Sequence, residues 1–216
     1  MQVVVDNFGL LMRGLAVTLQ LSALIILFGT IIGLFGGIGL LYGPGWVRAI
    51  LRIYVDIIRG TPLLVVIFLI FYGLPALNVE IDGFQAAVVA FSLFAGAHIS
   101  EIIRGGVSSV PRGQTDAAKA LGLTFWPSMA WVVLPQALPV LLPPWVNTAV
   151  EMVKGSSLVV LVSVSDLMFQ TVKIAERTGN PMPLYLTAAA IYVLVNLTIS
   201  RFGVWLERRA SRGLAA

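Results

Sequence analysis

Residues 116–135 read "DAAKALGLTFWPSMAWVVLP" and separate two long apolar runs. The stretch holds one acid, Asp116, one base, Lys119, a glycine at 122, and a Leu134-Pro135 pair that opens the next apolar run. Just upstream, Pro111 suits the first turn of a helix, and Gly122 can take the left-handed conformation that closes one. Ala117, Ala118 and Leu121 fall on one face of that helix, at i, i+1 and i+4. Thr124 can cap a second short helix through "FWPSMAWVVL", which Pro135 is expected to interrupt. A lipid-facing crossing has no use for such a helix, so the apolar runs on either side are separate membrane segments. Two readings of the insert follow. It is a handle whose small face at Ala117 and Ala118 lets a partner's backbone approach closely, or it lies in the membrane interface with Trp126 and Trp131 as anchors.

The composition agrees with a membrane setting. Of 216 residues, 58% are apolar and 11% charged, against roughly 25% charged in soluble domains; mean hydropathy is +0.96. The absence of cysteine excludes disulfides, thiolate chemistry and zinc-thiolate sites. The opening "MQVVVDNFGLLMRGL" lacks the basic region and cleavage site of a signal peptide, so the first apolar segment is expected to remain as an anchor. Apolar runs at about 11–41, 53–73, 84–104, 137–165 and 183–206 suit the roughly 20 residues that cross a bilayer, and predict five spans. The first exceeds what a hydrocarbon core of ~30 Å requires, so tilt or protrusion is expected. Its Gly29, Gly33 and Gly37 stand at four-residue spacing and would let a neighbouring helix come close.

Basic residues are unevenly placed. Arg48 and Arg52 lie between runs one and two, Arg104, Arg112 and Lys119 between three and four, and Arg208, Arg209 and Arg212 after run five. The alternate connections hold Glu80 and Asp82, then Asp166, Lys173, Glu176 and Arg177, and the start holds Asp6 and Arg13. The positive-inside bias predicts an outer N-terminus, a cytoplasmic C-terminus and a cytoplasmic 116–135 stretch. The net charge of +4 is then a matter of topology, and no nucleic-acid partner is expected.

The 116–135 stretch resembles the cytoplasmic EAA loop of permease subunits of ATP-binding cassette (ABC) importers. That pattern is Glu-Ala-Ala, three residues, Gly, nine residues, Ile, one residue, Leu-Pro. Asp116, Ala117, Ala118, Gly122, Val132, Leu134 and Pro135 fall at those positions, with Asp for Glu and Val for Ile. Around it, "RGTPLLVVIFLIFYGLP" (59–75), "SEIIRGGVSSVPRGQ" (100–114), "LPQALPVLLPPWVN" (134–147) and "KGSSLVVLVSV" (154–164) resemble the polar amino-acid uptake branch of these permeases. The likeness covers roughly residues 10 to 208.

The resemblance implies an all-α integral membrane protein of five transmembrane helices, a single permease domain over 1–216 in which 111–135 is the coupling loop. It implies ABC ATPase subunits on the inner face, a second permease chain, the same or similar, and a solute-binding protein on the outer face of a bacterial cytoplasmic (inner) membrane. Asp116 and Lys119 would orient the coupling helix, Ala117, Ala118 and Leu121 would fill the ATPase cleft, Gly122 would set the turn, and Leu134 and Pro135 complete the motif. The chain has no G-x-x-x-x-G-K-[ST] loop. It is therefore read as a transport subunit without enzymatic activity or a cofactor of its own, with ATP and magnesium bound by the partner ATPase. The implied solute is a polar amino acid or related small zwitterion; the alternative is a compatible solute or opine-like compound moved by the same mechanism. A membrane channel would have no use for a coupling helix, and an intramembrane enzyme would show convergent catalytic groups that are missing here.

Charges within spans usually face a cavity or one another. Asp56 and Arg59, and likewise Glu101 and Arg104, are three apart and are read as structural pairs. Gly60-Thr61-Pro62 should break run two, which places Thr61 on the path. In run four, "PPWVNTAVEMVKGSSLVV" is read as beginning at its Pro-Pro, with Gly155, Ser156 and Ser157 interrupting the helix where backbone is tolerated only beside a cavity or under protein. Thr148, Glu151 and Gly155 share one stripe, at i, i+3 and i+7. In the resembled branch, carriers of basic amino acids often have acids at the positions of Thr148 and Gly155, and this chain does not. Glu151 either receives a substrate ammonium or pairs with Lys154. His98, the single histidine, is either packed and hydrogen-bonded or a proton relay, and no metal site is expected. Ser92, Phe94 and Ala95 face the central pathway by the resemblance alone.

Overall fold

A computed structural model describes residues 2–212, and everything described there is helix, turn or short connection. The side chain of Arg212 and the outermost ends of the 1–216 unit lie outside the described residues. In chain order the α-helices are α1 (Gln2–Asp6), α2 (Phe8–Tyr42), α3 (Gly45–Gly60), α4 (Leu63–Ala76), α5 (Gly83–Ser108), α6 (Arg112–Ala120), α7 (Phe125–Ser128), α8 (Leu134–Gly155), α9 (Leu167–Thr178) and α10 (Pro181–Arg212). A π-helical turn, Met129–Val133, joins α7 to α8, and a 3₁₀ segment, Ser156–Val162, extends α8.

The seam between α2 and α5 organises the molecule. Gly29 packs on Ala95, Gly33 on Ile99, Gly36 on Ser100 and Gly37 on Ile103. Residue numbers rise together along both helices, so α2 and α5 run parallel. A methyl group added at Gly29 would come within 2.7 Å of the Ala95 Cβ, so the backbones approach closely only because the side chains are small. Parallel neighbours require the chain between them to return across the layer once. That return is α3 with α4, a pair bent by 109° that qualifies as a fifth crossing beside the four long apolar helices. The pairings of Gly106 with Leu141 and Gly155 with Phe91 make α8 antiparallel to α5, and Gly203 of α10 packs on Val146 of α8. Leu11 of α2 and Leu184 of α10 share a cluster, so the chain enters and leaves the bundle at opposite ends.

Run two is thus no straight span over 53–73. α3 lies alongside α5, held by Arg52 on Glu101 and by the Tyr54 hydroxyl donating to the Leu93 carbonyl at 2.6 Å. The break falls where the sequence places it: Thr61 is extended (φ −103°, ψ 133°), as the residue before a proline prefers. Run four differs more. Pro135 does not interrupt it, because the π turn lets the Leu134 N–H reach the Met129 carbonyl, five residues back, and resets the ladder ahead of the proline. Nor does a helix begin at Pro143-Pro144, which lie inside α8 together with Pro139. Ser156 and Ser157 tighten the helix into 3₁₀ turns rather than opening it.

The connection from 166 to 177 also folds, as α9. Asp166, with no exposed surface, caps it by accepting from the Phe169 N–H at 2.8 Å and from the Tyr192 hydroxyl at 3.3 Å. Thr18 of α2 accepts from the Leu167 N–H. Burial pushes the Asp166 carboxyl above its ordinary range, opposed by its backbone and hydroxyl hydrogen bonds.

Candidate substrate groove and coupling helix

α5 has two faces. Ser92, Ala95, Ile99 and Ile103 recur at i, i+3, i+7 and i+11 and face α2, whereas Phe94, His98, Glu101 and Gly105, at i, i+4, i+7 and i+11, lie on the opposite side. There, between α5 and α8, a groove of about 470 Å³ is lined by Arg59, His98, Glu101, Asn147, Thr148 and Glu151 among apolar neighbours. The groove is open along one side.

Glu101 is the best-satisfied charge in it. Arg104 binds it through Nε and an NH2 group at 2.9 and 2.8 Å, and Arg52 of α3 adds a bond at 3.0 Å. Its side chain keeps only 15% of its exposure, so two guanidinium groups hold a half-buried carboxylate and tie α3 to α5. The expected Glu101–Arg104 pair is present and gains a partner from another helix. The Asp56–Arg59 pair does not form among the described ion pairs, nor does Glu151–Lys154. Arg59 turns to the groove instead. His98 is packed as one of its two readings requires: Nδ1 lies 2.9 Å from the Phe94 carbonyl, which can only accept, and its ring lies tilted by 33° against Phe94 with centroids 4.6 Å apart. Nε2 is left as the ring's remaining polar atom.

Of the sequence-predicted path residues, Thr148 and Glu151 reach the groove. Thr148 is 6% exposed, and its hydroxyl donates to the Pro144 carbonyl at 3.0 Å. Phe94 supports the wall through His98. The others lie elsewhere. Ser92 and Ala95 are buried against α2; Gly155 is packed toward Phe91 and Leu63; Lys154 is exposed outside the groove. Thr61 bonds the Ile57 carbonyl at the α3–α4 bend. Arg59, His98, Glu101 and Asn147 line the groove without having been singled out by the sequence as path residues. For His98 and Glu101 the signal is polarity at helical spacing opposite the small-residue seam of α5, and for Asn147 it is the four-residue step to Glu151 on α8.

At one end of the bundle stands α6. Gly122 has φ +79°, and its N–H bonds the Lys119 carbonyl while the Leu123 N–H bonds that of Ala118, a pattern only a left-handed residue closes without strain. Asp116 and Lys119 form a loose exposed pair at 3.9 Å. The expected face is split: Ala117 and Leu121 are exposed, but Ala118 is 2% exposed and packs within the chain. Ala118 therefore anchors the helix to its own protein and is not free to fill a partner's cleft. Leu134 and Pro135 stand at the start of α8, half-buried. Tyr42 at the end of α2 meets Phe125 at 4.9 Å, tying this end to the first span.

Residues 15–212 match the family model described as binding-protein-dependent transport system inner membrane component. The chain belongs to this family. Its members are the membrane-spanning permease subunits of ABC importers, and the curated relatives fall in the amino-acid branch. The chain is 38% identical over 207 residues to the L-cystine transport system permease protein TcyB of Bacillus subtilis (strain 168), covering 95% of this chain and 88% of the relative. It is 36% identical over 203 residues to the glutamine transport system permease protein GlnP of Escherichia coli (strain K12), covering 93% and 92%. Among solved structures, a chain described as an amino acid ABC transporter with histidines superposes with a TM-score of 0.87 at 35% identity, covering 95% of this chain and 96% of that one. The methionine transporter MetNI, facing inward, shares the fold at 23% identity with a TM-score of 0.81. The permease thus sits in a membrane, and its five crossings are those of type I importers.

Proposed function

We propose that this permease carries a polar amino acid or related small zwitterion inward through the α5–α8 groove, as one of two permease chains in the importer. The observation that carries the reading is the groove's charge pattern. Glu101 is engaged by Arg52 and Arg104, which leaves Glu151 as the acid and Arg59 as the base of the groove lining that enter no ion pair among the described residues. An α-amino acid presents a carboxylate to the guanidinium and an ammonium to the carboxylate, while Asn147 and Thr148 add neutral donors and acceptors. One free charge of each sign suits a zwitterion better than a cation. The amino-acid relatives point the same way. The open side of the groove is the wall that a second permease chain supplies.

ABC ATPase subunits dock on α6 through Ala117 and Leu121, with the Asp116–Lys119 pair orienting the helix, and bind the ATP and magnesium themselves. Their closure rocks the helices between inward- and outward-facing packings. The end carrying α6, Arg48, Arg52, Arg104 and Arg208 faces the cytoplasm by its excess of positive charge, so the N-terminus and the solute-binding protein lie outside. The test is reconstitution of the permease with its co-purified ATPase in proteoliposomes, with a panel of amino acids and small non-amino-acid zwitterions. Uptake confined to amino acids supports the reading; uptake confined to the other solutes refutes the substrate class. In the same system Gly122→Val should insert normally and lose solute-stimulated ATP hydrolysis, and full stimulation would refute docking on α6.

A further inference from the structure

A second cavity, of about 320 Å³, lies beneath the coupling helix and is no part of the solute groove. It is lined by Tyr42 from α2, Thr115 and Lys119 from α6, and Phe125, Ser128 and Met129 from the segment that leads into α8. We propose that it holds the head region of an anionic phospholipid, which seats the coupling helix on the membrane surface. The inference goes beyond the transport reading and holds whatever solute is carried.

Three observations converge. The cavity is apolar on one side and cationic on the other: Tyr42, Phe125 and Met129 face Lys119, whose ammonium is only loosely engaged by Asp116 at 3.9 Å. Ser128 also lines it, 5% exposed, and its hydroxyl has no hydrogen-bond partner among the described residues. A buried hydroxyl normally finds a partner, and one left without points to a missing acceptor or donor. Thr115 and Thr124 add two more hydroxyls at the same cavity. At ~30 Å³ for each water-sized group the space takes about ten, enough for a phosphoglycerol head with the start of a chain.

The surroundings select a lipid over a free anion. Phe125 and Trp126 stack edge to face at 5.2 Å beside the Tyr42–Phe125 contact, and Tyr42, Trp126 and Trp131 are 48%, 68% and 80% exposed. Exposed aromatic rings at the end of a span sit at the headgroup level. A phosphate there meets Lys119 and the hydroxyls while its chains run along Phe125 and Met129 into the hydrocarbon. The handle and interface readings of residues 116–135 then describe opposite faces of one segment: Ala117 and Leu121 point away to a protein, and the Lys119–Ser128 side holds the membrane.

The test is native mass spectrometry of the full chain from mixed micelles of phosphatidylglycerol and phosphatidylcholine of equal chain length. Wild type should retain phosphatidylglycerol in preference. Lys119→Gln should retain it about fivefold less well, the worth of one lysine at an anionic surface, and Thr115→Leu, which plugs the mouth, should lose it comparably. Arg208→Gln, in the separate basic groove on α10, should not change it. Melting temperatures in phosphatidylcholine alone check that each variant is folded. The proposal is overturned by equal retention in both cavity variants, or by loss in Arg208→Gln only. It is also overturned if inorganic phosphate stabilises the chain as well as the lipid does, or if the docked ATPase expels the lipid.

Discussion

The two faces of α5 are built on opposite principles. Toward α2 the helix offers Ala95, Ile99, Ser100 and Ile103 to a row of glycines, and the contact is too tight for an added methyl group. Toward α8 it offers His98, Glu101 and Gly105 to an open polar groove. One face has no room to change shape, and the other, on the proposed reading, receives the solute. The difference teaches that in a helix apolar nearly all round, the functional side is recognised by where polar groups are allowed, and the structural side by where large groups are forbidden.

The comparison breaks most severely at the seam. In Gly37→Val the new Cβ would lie 2.7 Å from that of Ile103 and 2.9 Å from the Ser100 carbonyl oxygen, and overpacking of this kind costs about 3 kcal/mol. A large fall in melting temperature is expected, with uptake lost alongside. Gly105→Ala is the matched control on the other face, where nothing lies within 4 Å, and its melting temperature should hold. Equal damage from both would erase the distinction between the faces.

Next in size is the Glu101 network. Glu101→Gln leaves Arg52 and Arg104 around a neutral amide, and lost hydrogen bonds to charged groups cost about 2 kcal/mol. The melting temperature should fall, and adding Arg52→Gln to that variant should cost less than it does in wild type, because the pair acts as a unit. Strict additivity would show that α3 is not tied to α5 through this carboxylate.

Much of this was legible in the sequence. The five apolar runs, the close approach at Gly29, Gly33 and Gly37, the break at Gly60-Thr61-Pro62 and the turn at Gly122 each rest on one local rule of backbone or packing. The misreadings all concern what a neighbour does. Pro135, Pro143 and Pro144 look like breaks until a π turn and a surrounding bundle absorb them. Residues 167–178 read as a charged connection because their apolar side finds its partner only in α2 and α10. Ser92 and Ala95 stand on the path by the resemblance alone, and the structure packs them into the α2–α5 seam instead. Glu101 is paired and His98 is packed as the sequence suggests, and that both also line the groove depends on α8 lying opposite them.

A smaller effect is expected at Asp166, where the fold favours the protonated carboxyl. Its contribution is present below the ordinary value of 3.8 and is lost as pH rises through the elevated folded-state value. Asp166→Asn keeps an acceptor for the Phe169 N–H without the buried charge. Its melting temperature relative to wild type should therefore rise with pH across the weakly acidic range and then level off. A difference independent of pH would mean that the carboxyl carries no such linkage.

The smallest stability effect and the most direct test of the groove fall together in Glu151→Gln. Glu151 is exposed, so the isosteric change should leave the melting temperature unaltered. In proteoliposomes, uptake of a zwitterionic amino acid should drop clearly at limiting solute and recover toward wild type at saturation, as expected when a binding contact is lost from the ground and transition states alike. Normal uptake at limiting solute, with Arg59→Gln equally silent, would contradict a path through the α5–α8 groove.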